Sequence, residues 1–155
     1  MDAREDQSPG WKFNEYEMRG VPVRLEIGPR DMDNGQVVLV RRDTGEKMIV
    51  PQDELLAKLP VLLDDIQQNM YETAKQFRDD NSRVVRSLEE LSETINNQRG
   101  FVLAGWCGDN VCEKAIKEEC GATSRNIPFD APEHLDTCVV CAKPAAHTVW
   151  YAKSY

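Results

Sequence analysis

Four of the five cysteines fall into two closely spaced pairs, C-x4-C at Cys107 and Cys112 and C-x2-C at Cys138 and Cys141. Each spacing lets two thiolates from one turn reach the same ion, and two such turns supply four ligands. Tetrahedral zinc bound by four sulfurs is the usual result, and it leaves no ligand position for water. The pattern therefore predicts a structural, not a catalytic, zinc site in the last third of the chain.

Two alternatives to a metal site stay open for the cysteine pairs. A disulfide framework requires an oxidising compartment and leaves one cysteine over, and pairs without a metal would be small buried hydrophobes. Cys120, at the end of a predicted helix, is interpreted as a free thiol. His147 could replace one sulfur, although its alternating strand pattern favours a surface or half-buried histidine, and His134 is interpreted as a loop residue.

The composition is that of a soluble, foldable chain with one good domain or two small ones. Of the 155 residues, 41% are hydrophobic and 30% are charged, which is ordinary for globular proteins. No run of eighteen apolar residues and no signal peptide is found, so we expect a cytoplasmic protein without a membrane partner. The net charge of −8 argues against broad affinity for nucleic acid, and the acidic excess is smaller over residues 1–47.

The elements that would position these cysteines indicate an α/β fold in two pieces, residues 1–80 and 81–155. In the first piece a helix from Pro9 to Gly20 precedes three strands, the first of which alternates with Val23, Leu25 and Ile27 inward. A long helix follows, with an apolar stripe and a predicted interruption at Pro60, because proline breaks helices.

The second piece opens with a helix for which Ser87 is the candidate N-cap, and Gly100 ends it. A strand then leads into Cys107, a short helix ends near Cys120, and the tail is predicted to be a hairpin that turns at Lys143 and Pro144. No phosphate loop, G-x-S-x-G elbow or H-E-x-x-H motif is found, so the residues alone indicate a binding module with a structural metal.

The segment PGWKFNEYEMRGVPVRLEIGPRDMDNGQVVLVRRDTGEK resembles the anticodon-binding domain of class II prolyl-tRNA synthetases of the archaeal and eukaryotic-like type. CGDNVCEKAIKEECGATSRNIPFD, the later C-x2-C and the terminal YAKSY resemble the zinc-binding domain that ends those enzymes. The resemblance covers essentially the whole chain. It implies a partial anticodon-binding sheet with flanking helices, then a small α/β zinc-binding domain with Cys107, Cys112, Cys138 and Cys141 as zinc ligands.

The catalytic domain of that family, which uses ATP and Mg to join proline to its tRNA, has no counterpart here. The resemblance therefore implies a C-terminal fragment that is inactive alone, with the missing catalytic domain as a partner. In the family the carboxylate of Tyr155 points toward that domain, and we expect this terminus to be loose here.

The resemblance also implies which residues read the two guanines of a proline anticodon. A carboxylate can accept from guanine N1–H and N2–H, and an arginine can donate to O6 and N7. From the residues alone, Arg24 is simply an outward charge on a strand. The implied RNA-binding residues are Glu17, Arg24 and Arg30, with Lys12 and Lys47 as weaker candidates and Phe13 as a stacking side chain.

The alternative function is a free-standing zinc module that binds other proteins rather than RNA. In that case the edge of an incomplete sheet would pair with another chain, and whether the chain forms a homodimer is left open. An incomplete sheet predicts exposed apolar surface near Val23, Leu25 and Val38.

Overall fold

The computed structural model describes residues 2–154 and forms two compact units, Met1–Ala74 and Lys75–Tyr155. Each unit is a sheet with flanking helices, so the predicted α/β class is confirmed. The division falls before the predicted limit at residue 80, and the domain limits stay a prediction. The expectation for Tyr155 lies outside the described residues. None of the helices in residues 2–154 combines the length and apolar character needed to span a bilayer.

The first unit contains a three-stranded antiparallel sheet in the order β1-β2-β3. The helix before it is capped by Ser8, whose hydroxyl accepts from the Trp11 amide, and it ends ahead of Gly20, where φ is +83°. Only glycine adopts that conformation without cost, which is why the chain turns there. The elements are α1 (Pro9–Met18), β1 (Val23–Glu26), α2 (Pro29–Asp33), β2 (Gln36–Arg41) and β3 (Lys47–Pro51).

One face of this sheet packs against α3 (Leu55–Asp80), whose buried side chains Leu62 and Ile66 contact β2 and β3. Leu25 stands opposite Leu39 and so lies on the same, core-facing side of the sheet. It is nevertheless 46% exposed, and Ile27 is 51% exposed. Their predicted inward burial is wrong, because the core cluster around Leu62 and Ile66 includes contacts with Val23 of β1 but not with Leu25 or Ile27.

The exposed apolar surface that was predicted for this sheet is present only in part. Leu25 is exposed, whereas Val23 and Val38 are half-buried. Ile49, which pairs with Val38 on the opposite face from the core, is 67% exposed. The apolar surface therefore extends over both faces of the sheet rather than along one edge.

The long helix α3 is continuous, so the interruption predicted at Pro60 is wrong. A proline inside a helix removes one hydrogen bond to the carbonyl four residues earlier, here that of Leu56. Leu56 is 85% exposed, so this turn of the helix lies at the protein surface. Of the predicted apolar stripe, only Leu62 and Ile66 are buried, and Phe77 is 71% exposed.

The second unit contains a four-stranded sheet in the order β4-β5-β7-β6, in which only β4 and β5 are parallel. Ser87 caps α4 by accepting from the Glu90 amide, as predicted. A π-helical turn at Thr94–Gln98 follows α4. The elements are β4 (Ser82–Val84), α4 (Leu88–Glu93), β5 (Phe101–Trp106), α5 (Asn110–Cys120), β6 (Ala122–Asn126) and β7 (His147–Lys153).

The core of this unit lies between the sheet and its helices, with Leu91, Ile95, Ile116 and Tyr151 at 1% exposure or less. The tail is not the predicted regular hairpin. Its second arm is the long strand β7, but its first arm is a turn that makes a single β-bridge, between Thr137 and Pro144. That turn carries two of the four paired cysteines.

Candidate functional site

The four paired cysteines converge at one end of the second unit's sheet. Their sulfur atoms all lie within 4.8 Å of one another, and the Sγ of Cys107 is 3.6 Å from that of Cys112 and 3.7 Å from that of Cys141. Four sulfurs at about 2.3 Å from a zinc ion would be separated by about 3.8 Å along the edges of a tetrahedron. All four are free thiols, so their arrangement fits a metal ion and not a pair of disulfides.

A close backbone approach holds the second cysteine loop against the first. A Cβ atom at Gly105 in β5 would lie 2.2 Å from the carbonyl oxygen of Thr137, so only glycine fits there. The amide of Val139 donates to the Gly105 carbonyl at 3.1 Å, and the amide of Ala146 donates to the Trp106 carbonyl at 2.8 Å. These contacts bring the Cys138 loop beside the end of β5, where Cys107 begins the other loop.

The first cysteine loop is shaped by its own polar contacts. Gly108 turns the chain at φ +88°, and Asp109 then caps α5 by accepting from the Val111 amide at 2.9 Å. The indole Nε1 of Trp106 donates to the Asp109 carbonyl at 3.0 Å. Cys112 is thereby placed in the first turn of α5, facing back toward Cys107.

The cysteines differ in how readily they ionise. Burial opposes ionisation of Cys138, but backbone N–H groups of Cys141, Val140 and Cys107 outweigh it and lower the pKa of this thiol to about 7. Burial raises the pKa of Cys112. A thiolate is the form that binds metal, so the lowered pKa of Cys138 favours the metal-binding form of this side chain.

The remaining candidates for metal binding lie outside this cluster. Cys120 is buried in the core, and its Sγ is 3.3 Å from the Ile116 carbonyl. The ring of His147 packs 6.0 Å from that of Trp106, and His134 is exposed. None of these three side chains belongs to the group of four sulfurs.

A second polar cluster forms around Arg24 in the first unit. Its guanidinium is 2.5 Å from Glu17 of α1 and 2.9 Å from Glu26 of β1, and it lies 3.9 Å from the centroid of the Phe13 ring. The Nζ of Lys47 is 3.4 Å from Glu26. The structure therefore brings four of the six predicted RNA-binding residues together: Phe13, Glu17, Arg24 and Lys47.

The strand register explains this convergence. Arg24 stands opposite Val40, which stands opposite Lys47, so Arg24 and Lys47 share the face of the sheet that points away from α3. Glu26 lies two residues beyond Arg24 on that face. Burial raises its pKa, but hydrogen bonds from Arg24 and Lys47 prevail and lower it. Sequence reasoning missed Glu26, although its period-two spacing from Arg24 would have indicated it.

The other two predicted RNA-binding residues lie apart from this cluster. The ammonium group of Lys12 contacts the N-terminal segment, donating to the Asp2 carbonyl at 3.3 Å and to the Arg4 carbonyl. Arg30 is exposed on the short helix α2. Neither contacts Arg24 or Glu17 in the structure.

Two family models match the chain. The model described as "Prolyl-tRNA synthetase, C-terminal" matches residues 88–155, and the model described as "Anticodon binding domain" matches residues 1–62. Together they cover most of both units.

Curated relatives match along the whole chain. A protein of Symbiobacterium thermophilum named proline–tRNA ligase is 54% identical over 99% of this chain and 33% of its own length. A protein of Clostridium novyi with the same name is 51% identical over 97% of this chain and 31% of its own length. A Bacillus thuringiensis protein named proline–tRNA ligase 2 is 47% identical over 100% of this chain and 32% of its own length.

The chain thus spans about a third of the length of the curated relatives it matches. The two family models match in the same order as the two units. The description of the second model and the names of the relatives point to the same family of enzymes. The chain belongs to the prolyl-tRNA synthetase family, and it corresponds to the C-terminal part of those enzymes.

Proposed function

We propose that this chain binds the anticodon of a proline tRNA for an enzyme that attaches proline to that tRNA. The relatives' name supports the reaction, and the match to an anticodon-binding model supports the role of the first unit. ATP and Mg are the cofactors proposed for the whole enzyme, and no residue of this chain is assigned to them. The observation that carries the proposal is the cluster around Arg24.

The cluster has the donors and acceptors that a guanine requires. Arg24 offers N–H donors for guanine O6 and N7, and the neighbouring Glu17 offers carboxylate oxygens for N1–H and N2–H. The Glu17 side chain is 46% exposed, whereas that of Arg24 is 21% exposed. Stacking on Phe13 and the contact with Glu26 hold Arg24 in one orientation, which reduces the entropy lost when a base binds.

We also propose that Cys107, Cys112, Cys138 and Cys141 bind a structural zinc ion. Four sulfur ligands leave no position for water or substrate, so the ion would contribute stability and no catalytic step. The ion would join the end of β5, the first turn of α5 and the loop before β7. Zinc is favoured over harder divalent cations because thiolates are soft ligands.

A titration with RNA hairpins tests the proposed function. We expect the chain to bind a labelled anticodon stem-loop with two guanines more tightly than the same stem-loop with two cytosines. Glu17→Gln should reduce this preference, because the amide group has only one acceptor oxygen and adds two N–H donors. Equal affinity for the two stem-loops would contradict the proposal.

The alternative, a module that binds other proteins, has one observation in its favour. Leu25 and Ile49 of the small sheet are 46% and 67% exposed, and Ile27, directly after β1, is 51% exposed. Such surfaces often mediate protein contacts. Indifference to the guanines, combined with concentration-dependent self-association in analytical ultracentrifugation, would favour this alternative over anticodon recognition.

A further inference from the structure

A cleft of about 750 Å³ lies on the second unit, where the π-helical turn meets the ends of β5 and β7. Nine residues between positions 2 and 154 line it; three of these are cationic, namely Arg99, Arg125 and Lys153, and none of the nine is acidic. The chain as a whole carries a net charge of −8, and a neighbouring depression is lined by three glutamates. The positive charge of this cleft is therefore local and not a property of the surface in general.

Arg99 occupies this cleft at the cost of backbone strain. Its φ is +62° and its ψ is −170°, a conformation that is essentially confined to glycine. The segment is held by the bond from the Arg99 amide to the Thr94 carbonyl at 3.0 Å. Gly100 follows, where a Cβ atom would lie 2.2 Å from the Asn81 carbonyl oxygen. A second glycine at this position would be less strained than arginine. The presence of an arginine there indicates that its side chain has a functional role that offsets the strain.

The other two cations and the walls complete the cleft. One nitrogen of the Arg125 guanidinium donates to the Ala152 carbonyl at 3.1 Å and to the Ser154 hydroxyl at 3.3 Å, which orients its remaining N–H groups. Within residues 2–154, none of the three cations forms an ion pair with a carboxylate. Phe101 forms an aromatic wall and is 49% exposed.

We propose that this cleft binds a phosphate group that carries a nucleobase, from either an RNA strand or a free nucleotide. Arginine and lysine bind phosphate oxygens, and a half-exposed phenylalanine offers a face on which a base can stack. A simple carboxylate ligand would pair with the cations but would have no base to stack on Phe101. The proposal does not depend on anticodon recognition, because the Arg24 cluster belongs to the other unit.

Binding of an unstructured RNA without guanine tests this proposal separately from anticodon recognition. We expect the zinc-loaded chain to bind a fluorescein-labelled uridine octamer, and Lys153→Glu to weaken that binding at least about fivefold. Each cation removed should reduce the slope of log affinity against log salt by about 0.7. Lys114→Glu is the matched control, since it makes the same change of charge on α5 outside the cleft and should leave the affinity unchanged.

Competition identifies the source of the phosphate. Displacement of the octamer by AMP but not by adenosine would show that a free nucleotide suffices, whereas failure of both would show that the site takes an RNA strand. The proposal is overturned if neither the octamer nor AMP binds, or if Lys114→Glu weakens binding as much as Lys153→Glu. Persistence of octamer binding in Glu17→Gln would separate this site from the anticodon contact.

Arg99→Gly distinguishes loss of binding from loss of folding. Glycine relieves the strain at this position, so we expect the midpoint of thermal unfolding to rise while the affinity for the octamer falls at least about threefold. A fall in affinity could not be ascribed to misfolding if the unfolding midpoint rises, whereas unchanged affinity of this variant would contradict the role of Arg99.

Discussion

Replacement of Arg24 by alanine should weaken RNA binding and also lower the stability of the folded chain. The replacement removes two partly exposed ion pairs, at 2.5 and 2.9 Å, and one stacking contact at 3.9 Å from the folded chain. Ion pairs of this kind contribute about 0.2–1 kcal/mol each, and an exposed cation–π contact contributes about 0.5–1 kcal/mol. We therefore expect a loss of about 1–3 kcal/mol in the free energy of unfolding.

The effect on binding follows from the base contact. A good bidentate pair contributes about 1–3 kcal/mol of discrimination, so Arg24→Ala should raise the dissociation constant for the guanine stem-loop roughly 5- to 150-fold. Glu17 is released from its ion pair in this variant, and its unpaired charge would face the base. The loss of binding free energy in the double variant Arg24→Ala/Glu17→Ala should therefore differ from the sum of the losses in the two single variants.

Guanine analogues in the stem-loop assign the contacts to single atoms. 7-deazaguanine lacks N7, so it should weaken binding to the wild type but have little further effect on Arg24→Ala. Inosine lacks the N2 amine, so it should weaken binding to the wild type but have little further effect on binding to Glu17→Ala. The assay is fluorescence anisotropy at two salt concentrations, with unfolding in urea measured in parallel.

Arg19→Ala is the matched control for this experiment. Arg19 lies on the segment that ends α1, forms an ion pair with Glu15 at 2.5 Å and stacks over Tyr16 at 5.9 Å. Arg19→Ala removes an ion pair and a cation–π contact, as Arg24→Ala does, but it removes no proposed base contact. The RNA affinity of Arg19→Ala should therefore be unchanged. The reasoning is refuted if the wild type is indifferent to both analogues, or if Arg19→Ala weakens binding as much as Arg24→Ala.

Three further changes test the stability of the two units. Cys138→Ser should lower the calorimetric unfolding temperature of the metal-loaded chain, and a chelator should then cause no further decrease, because a ligand is already lost. The guanidinium of Arg41 holds the pKa of Asp43 well below its usual range, so the pair stabilises the folded chain above about pH 4. That stability is lost as the pH falls further, and Asp43→Asn should flatten the dependence in urea titrations at pH 3 and pH 7. Tyr151 is fully buried, and its hydroxyl has no hydrogen-bond partner within residues 2–154. Tyr151→Phe should therefore raise the free energy of unfolding in urea by about 1 kcal/mol, and a decrease would reveal a partner for that hydroxyl.

Local chemistry was readable from the sequence where neighbours in the chain decide it. The cap at Ser87 and the turn at Gly20 follow from contacts between residues only a few positions apart. The spacing of the four cysteines belongs to the same class, because each loop presents its two thiols on its own. The sequence accordingly predicted both cysteine loops, and the structure brings their sulfurs within reach of one ion.

Tertiary packing decided the features that depend on distant residues. Leu25 has an inward pattern but remains exposed, because the core cluster around Leu62 and Ile66 reaches Val23 of β1 and not Leu25. Pro60 lies inside a continuous helix at a turn where Leu56 is 85% exposed. Lys47 joins the Arg24 cluster through the register of β1, β2 and β3, and Arg99 reaches the cleft through a strained turn. Periodicity records which side chains share a face of their own element, but whether another element covers that face depends on how the whole chain packs.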